Sequence, residues 1–392
     1  MSLRTWDGPL NGGIAILGGG LSGLSLAAHL AATPPRPGPV VVVDDGVHDI
    51  TAASWASWTR RTGLLDSAAT EVFDRMRVVA GGHDRTLALG DYRYRVVHGA
   101  ALVAAVRRHT DPVPDVGSSA GRVVDVDGGS TGDYLERPRV VLDDGRELRP
   151  DWVFDARGPV AVDSHADAAL DFLGVRIRAD DPLFDPHVPV LFDFRTDQTD
   201  RASFVYVLPT DAHHALVEHV CFLDPDTPGV PADVHLAAIS VYFSEVLGVG
   251  ESTYEIGASE HARLPLVARP AERTGGRMMR IGAAAGLLKA SSGYAYEHIQ
   301  RDCEAIARSF AQHGHPFDLP KRHNRFARYD RALLTAVLGR PSFLEELFAA
   351  LFARGSAAPV LRFLDEDTSL RDETRLFASL PAGPLIRGLT GR

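Results

Sequence analysis

Apolar residues along this chain cluster and alternate in patterns that change several times from one end to the other. The first pattern is a pair of unbroken runs, Ile14 to Leu17 and Val40 to Val43, bracketing a small-residue stretch from Leu24 to Ala32. Four consecutive apolar residues predict strands buried on both faces, so the segment reads as β–α–β with a parallel pair. Next, Ser67 to Val79 is expected to form a helix. YRYRVVHGAALVAAVRRH predicts a short strand running into a helix from about Gly99 to Arg108. Alternation then dominates in GRVVDVDGG, in RPRVVLDDGRELRPDWVFDA and across 171–222, with Asp127-Gly128 and Asp144-Gly145 placed as hairpin turns. Between Arg280 and Phe310 the order of strand, glycine-rich turn and helix returns. From Pro320 onward the periodicity is helical, and Ser342 with Glu345 has capping-box spacing ahead of FLEELFAALFAR.

The turn inside the first unit carries chemistry. Gly18, Gly20 and Gly23 have G-x-G-x-x-G spacing between strand and helix. In that context the first glycine permits a tight turn and the second lets backbone approach a pyrophosphate. The third lets helix and strand pack closely. The helix N-terminus offers unpaired N–H groups to phosphate. Asp44 closes the second strand, where an acid accepts hydrogen bonds from a ribose hydroxyl. A dinucleotide site follows, and its place at the start of the chain favours FAD. The element order then predicts an α/β fold: a Rossmann-type FAD-binding domain of the glutathione reductase kind, an inserted β-sheet substrate domain and a helical C-terminal region. FAD-binding parts are placed at 11–100, 101–165 and 276–312, the substrate sheet at 166–275 and the helical region at 313–392.

Composition narrows the setting. Of 392 residues, 45% are apolar and 23% charged, an ordinary globular balance. A formal net charge of −10 argues against nucleic acid as a partner. The only cysteines, Cys221 and Cys303, have no C-x-x-C spacing, so neither a disulfide framework nor a zinc ligand set is expected, and a reducing cytoplasm fits. His213 and His214 are adjacent in a polar turn without further ligands, so no metal is expected there either. The opening MSLRTWDGPLNGG lacks the apolar core of a signal peptide, and no apolar run has bilayer-spanning length. A cytoplasmic protein is expected, with peripheral membrane contact left open.

VFDARGP (Val153 to Pro159) closes a strand with an acid, an arginine and a glycine, where flavin hydroxylases carry Ala-Asp-Gly. Further segments fall into a pattern with it: PVLFDFRTDQ (Pro189 to Gln198), FVYVLP (Phe204 to Pro209) and ALVEHVCF (Ala215 to Phe222). EHARLPL (Glu260 to Leu266) and IGAAAGLLKASSGYAY (Ile281 to Tyr296) complete it. In order and spacing this set resembles the lycopene cyclase family of flavoproteins, over residues 14 to about 370. Departures fall near the expected site. Glu218 is followed by His219 and Val220 where the family has Asp-Thr or Thr. Ala290 to Tyr294 stands for Pro-x-Thr-Gly-Tyr, and Ala262 replaces the glycine of Glu-x-Gly.

Strand alternation places Leu216, Glu218, Val220 and Phe222 on one face, opposite Val217, His219 and Cys221. A carboxyl among apolar neighbours has its pKa raised, the condition for a neutral acid that protonates an alkene. The cation so formed needs a dry cavity with π-rich walls. Tyr206 and Tyr294 are placed to supply them; Trp55 and Trp58 read as substrate lining or as core. Two plainer readings of Glu218 stay open, a solvated strand residue or a partner for Arg195. The stripe Phe343, Leu344, Leu347, Phe348, Leu351 and Phe352 reads as core packing or as a membrane-docking face, with Arg387 and Arg392 near the same contact.

The resemblance implies more than the residues alone. Glu218 takes the position of the catalytic acid and Glu260 one near the substrate. Gly282, Gly286, Gly293 and Tyr294 fall in the flavin loop. Arg157 contacts flavin or phosphate, or else pairs with Asp155 or Asp151. Reduced FAD would act without net redox, with NAD(P)H as the reductant to consider. Ile281-Gly282-Ala283 lacks the aspartate of hydroxylase loops, which points the same way. The expected function is an FAD-dependent intramolecular lyase or isomerase closing a ring on a long, carotenoid-like polyene by proton-initiated cyclisation. The alternatives are a cyclase of the same fold acting on another polyene natural product, a flavin monooxygenase or reductase using NAD(P)H, and a non-catalytic polyene carrier.

Overall fold

The computed structural model of the chain describes residues 3–128, 136–158, 166–269, 272–353, 355–381 and 383–385. Ile14–Leu17 (β1), Leu21–Ala32 (α1) and Val40–Asp44 (β2) open the order of elements. Ser54–Thr59 (β3), Ala69–Phe73 (β4), Arg75–Ala80 (β5), His83–Ala88 (β6) and Arg93–His98 (β7) precede Gly99–Thr110 (α2). Val116–Ala120 (β8), Val123–Asp127 (β9), Arg139–Leu142 (β10), Glu147–Leu148 (β11) and Trp152–Asp155 (β12) follow. Ala168–Ala179 (β13), Val190–Asp193 (β14), Ser203–Pro209 (β15) and His214–Leu223 (β16) lead to Ala232–Val241 (α3) and Tyr254–Leu266 (β17). Thr274–Gly275 (β18), Met278–Arg280 (β19) and Tyr296–His313 (α4) come next. Asn324–Gly339 (α5), Phe343–Leu351 (α6), Ala358–Leu364 (α7) and Leu370–Phe377 (α8) complete the series.

The first sheet has the order β18-β19-β12-β1-β2-β8, parallel except for β18. Its central strand is buried on both faces, as an apolar run with no alternation must be. Ile14, Ile16, Leu24, Val40, Val42 and Ile306 belong to one core that joins this sheet to α1, α2 and α4. A second sheet, β17-β13-β16-β15-β14-β5-β6, is antiparallel except at β14–β5. One of its faces meets the C-terminal helices and the loop before α4. The other carries α3 and the helical turn after it. A small sheet, β3-β7-β4, lies beside both cores: Trp58 and Tyr94 join the core of the second sheet, while Val97 joins that of the first.

The α/β fold class holds, and several local expectations do not. Ser67 to Val79 is not a helix. A short 3-10 turn at Asp66–Ala68 leads into β4 and then β5, which pair with β7 and with β6 and β14. Thr70, Val72, Val78 and Val79 are β-branched, and partners distant in sequence decided the outcome over a helical reading of the segment. β5 and β6 therefore add residues 75–88, a segment assigned by sequence to the nucleotide-binding part, to the second sheet. Asp144-Gly145 does turn the chain between β10 and β11, with Gly145 at φ +84°. Asp127-Gly128 does not make a two-residue hairpin, because β10 begins only at Arg139. Ser342 makes no side-chain cap, and the Glu345 carboxylate instead accepts from the Gly81 N–H at 2.9 Å. The capping box that does form is Ser369 with Asp372.

Candidate active site

At the first glycine turn the three positions differ in what a side chain would meet. A Cβ on Gly23 would lie 2.0 Å from the Gly18 carbonyl oxygen, so helix and strand pack at a distance only glycine permits. Gly18 has φ +104°, and a Cβ there would lie 3.1 Å from the Ala156 carbonyl, at the end of β12. Around Gly20 a Cβ meets nothing within 4 Å. Gly20 is also the N-cap of α1, and no side chain caps that end. The first-turn N–H groups thus face an open cradle of the kind that takes phosphate. Asp44 accepts from the Gly19 N–H at 2.6 Å and from the Gly46 N–H at 2.9 Å, so its carboxylate braces the turn from the end of β2.

Arg157 grips Asp155 with two side-chain hydrogen bonds of 2.9 Å, which hold it beside the turn occupied by Gly18. Asp151 is engaged elsewhere, by Arg137 and the Gly13 N–H. The second glycine loop meets the first: a Cβ on Gly282 would lie 1.9 Å from the Ser22 hydroxyl of α1, at φ +66°. Gly286, at φ +70°, ends the short 3-10 turn that follows. Gly293, at φ +75°, sits so close to β13 that a Cβ would come within 2.6 Å of Leu170.

These contacts bring the loop carrying Tyr294 onto the face of the second sheet that holds Glu218. β16 places Glu218 opposite Tyr206 on one side and Gly174 on the other, and Gly174 is in turn opposite Glu260 on β17. The two glutamates thus stand on one face, two strands and about 10 Å of backbone apart. A Cβ on Gly174 would lie 3.0 Å from both Cγ and Oε1 of Glu218, so the missing side chain is what makes room for the carboxyl. Leu216, Val220 and Phe222 flank Glu218 on its own strand and are buried. Burial pushes the Glu218 pKa up to about 7, with Glu260 raising it further and Arg176 pulling it down. Burial raises Glu260 as well, although that side chain is exposed. Arg195 is not the partner of Glu218; it pairs with Asp193.

Around this carboxyl stands an aromatic cluster. The Tyr94 and Tyr294 hydroxyls are hydrogen-bonded at 3.1 Å, and Tyr94 and Tyr206 meet edge to face at 6.5 Å. Trp58 lies against Tyr294 at 4.3 Å between ring centroids. Burial raises the Tyr206 phenol far above its ordinary value, with Tyr294 and Glu218 adding to the shift, so it stays neutral. Trp55 points the other way, into the core of the nucleotide-binding sheet. Tyr94 and Gly174 escaped the sequence reading: neither lies in a motif, and only pairing across strands brings them to Glu218.

A cavity of about 310 Å³ opens along the same sheet face. Phe204 and Phe222 form its sheet wall, and Leu344, Leu347 and Phe348 of α6 face them. The apolar stripe of α6 is therefore spent inside the molecule. Arg387 and Arg392 lie outside the described residues. Ser291 and Ser292 line the cavity, and their buried hydroxyls have no partner. The loop that carries them is fixed by Lys289, whose ammonium bonds Asp330 at 2.7 Å and Glu366 at 2.8 Å.

The profile of the lycopene cyclase protein family matches residues 13–389, nearly the whole chain. The chain belongs to the lycopene cyclase family. No curated protein sequence matches it. Solved structures share its fold at low identity. A flavoprotein/dehydrogenase from Cytophaga hutchinsonii is 12% identical with a TM-score of 0.66, covering 97% of this chain and 99% of that one. A geranylgeranyl bacteriochlorophyll reductase-like protein from Thermoplasma acidophilum is 14% identical with a TM-score of 0.60, covering 98% and 100%. The Diels-Alderase PyrE3 of the pyrroindomycin pathway is 18% identical with a TM-score of 0.60, covering 91% and 80%. This member of the lycopene cyclase family thus has a flavoprotein fold. Among its described residues no helix is long and apolar enough to cross a membrane.

Proposed function

We propose that this lycopene cyclase family member binds FAD and closes a ring on a long polyene by protonation, with Glu218 as the general acid. The observation that carries the reading is a carboxyl with its pKa pushed up to about 7, set among tyrosines and a tryptophan on an apolar sheet face. The open cradle at Gly20 fits the pyrophosphate of FAD, and Arg157 and the Gly282 to Tyr294 loop stand beside it to meet the rest of the cofactor. Bound reduced flavin supplies negative charge that favours a cation nearby.

The protein's own groups perform the proton chemistry. Protonated Glu218 gives its proton to a terminal double bond, whose π electrons form the new C–H bond. A neighbouring double bond attacks the resulting cation and forms the ring C–C bond. Loss of a proton from an adjacent carbon to the Glu218 carboxylate restores a double bond and the acid, so the product is an isomer of the substrate. The rings of Tyr94, Tyr206, Tyr294 and Trp58 shield and stabilise the cation. Exposed Glu260, two strands away on the same face, helps keep Glu218 protonated by its negative charge, and the apolar cavity takes the body of the polyene.

A second reading, in which the substrate is a polyene natural product other than a carotenoid, is favoured by His219, Val220 and Ala290, which replace the family's usual residues. Diels-Alderase PyrE3 is a named ring-forming enzyme on this fold. Anaerobic incubation with lycopene and dithionite-reduced FAD, followed by mass analysis, tests the proposal. A cyclic product of unchanged mass is expected. Gain of an oxygen atom, or stoichiometric NADPH oxidation, would refute it; no turnover of lycopene beside isomerisation of another polyene would select the second reading.

A further inference from the structure

On the face of the second sheet that turns away from Glu218, three distant segments bring polar side chains to one buried point. Asp171 lies on β13, His261 opposite the same stretch on β17, and His235 on α3, which packs against β13 and β16. The Nε2 of His235 lies 2.9 Å from Asp171 Oδ1, and the Nε2 of His261 lies 3.0 Å from the same oxygen. The other carboxylate oxygen, Oδ2, is buried and has no partner. Asp171 and His235 are 1% and 0% exposed, whereas the His261 side chain is 38% exposed and opens the point to solvent. Arg263, directly across from Asp171, is turned aside: its guanidinium donates to the Pro225 carbonyl at 2.8 Å.

We infer that Asp171, His235 and His261 form a binding site for one divalent transition-metal ion of the zinc class. The three ligand atoms lie within 4.8 Å of one another. An ion held at about 2.0–2.1 Å from each needs them roughly 3.3 Å apart, so the two nitrogen–oxygen distances of 2.9 and 3.0 Å have to open by a few tenths of an ångström, while the two imidazole nitrogens already lie within 4.8 Å of each other. Two imidazoles and one carboxylate suit zinc, and the solvent side of His261 leaves a position for water. A buried carboxylate served by two imidazoles at one oxygen and by nothing at the other is short of positive charge, which the ion supplies.

The surroundings suit this choice. Ligation by Nε2 leaves the proton of His235 on Nδ1, and that atom lies 2.9 Å from Nδ1 of His219, which then accepts. An outer partner of this kind orients a ligating histidine. The neighbouring triad of His219, Cys221 and His235 is the weaker seat. Cys221 Sγ lies 4.0 and 3.8 Å from the two nitrogens of His219, alongside the ring, and the positive charge of Arg201 bears on both residues. No spacing motif announced the site, because positions 171, 235 and 261 meet only in the folded sheet.

The test uses the full-length protein, stripped with EDTA and dialysed. Titration with Co²⁺ alone is expected to give the visible absorption of low-symmetry nitrogen and oxygen ligation at one equivalent, and Zn²⁺ is expected to displace it. Calorimetry with Zn²⁺ should show one site in the wild type, lost in His261→Ala, whose partly exposed side chain can be removed with the fold intact by circular dichroism. His219→Ala should weaken the site by about 10–100-fold. The double variant His213→Ala/His214→Ala should bind as the wild type does. Absence of binding by the wild type, or an unchanged single site in His261→Ala, overturns the inference.

Discussion

Glu218→Gln separates what this carboxyl does for the reaction from what it costs the fold. Glutamine has the shape and neutrality of the protonated acid but cannot ionise. In the folded protein Glu218 titrates at about 7, against 4.5 as the ordinary value, because burial and then Glu260 disfavour its charged form. At about 1.4 kcal/mol per pH unit, ionising it in place costs about 3 kcal/mol. Below pH 4.5 the side chain is protonated in both folded and unfolded chains, and the substitution should be nearly neutral. Between pH 4.5 and 7 only the unfolded chain releases the proton, so wild-type stability falls as pH rises. Above pH 7 the full cost is in place, and the variant should exceed the wild type by up to about 3 kcal/mol. Urea unfolding of both proteins at pH 4.5 and pH 8, with one fixed FAD concentration, reads this as a midpoint gap that opens only at the higher pH. A gap of equal size at both values, or a wild type that is the more stable at pH 8, would refute the buried-acid assignment. Cyclisation should be lost in Glu218→Gln at either pH.

Glu260→Gln removes a negative neighbour, so Glu218 should ionise at lower pH; the alkaline limb of a pH–rate profile should move toward acid, with the reaction itself retained. Gly20→Ala should leave apo-protein stability within about 0.5 kcal/mol, because its Cβ meets nothing, yet lower the FAD content of the purified protein. Gly23→Ala should instead lower the melting temperature of the apo-protein, since its Cβ collides with the Gly18 carbonyl. Lys289→Met removes from Asp330 and Glu366 the more deeply buried of the two cations they share, leaving Arg322 alone to balance both acids, and should cost about 3–5 kcal/mol in denaturant unfolding.

The nucleotide-binding unit was legible because its information is local: two apolar runs, a glycine spacing and an acid fall within 32 residues, 14–45. The face of Glu218 was legible for a similar reason, since alternation along β16 needs no partner to be read. What surrounds Glu218 was not. Tyr94 comes from a strand that pairs with Trp58 and Phe73, and Gly174 acquires its meaning from Glu218 and Glu260 on two other strands. The helix expected over Ser67 to Val79 failed for the same cause: β5 finds its partners at β6 and β14, the latter more than 100 residues away. Pairing of this kind leaves no periodic trace in the segment itself. Lys289 carried no signal either, because the two acids that hold it come from α5 and from the turn after α7.

The cavity wall contributed by α6 has a consequence for the nascent chain. Every strand of both large sheets is complete by Arg280, so the two sheets can assemble before the C-terminal helices leave the ribosome. Until Leu344, Leu347 and Phe348 arrive, the apolar surface around Phe204 and Phe222 has no cover. That surface is then an aggregation hazard, and the interval is a natural point for chaperone binding. The hollow between sheet and helices is thus the last part of the molecule to be built.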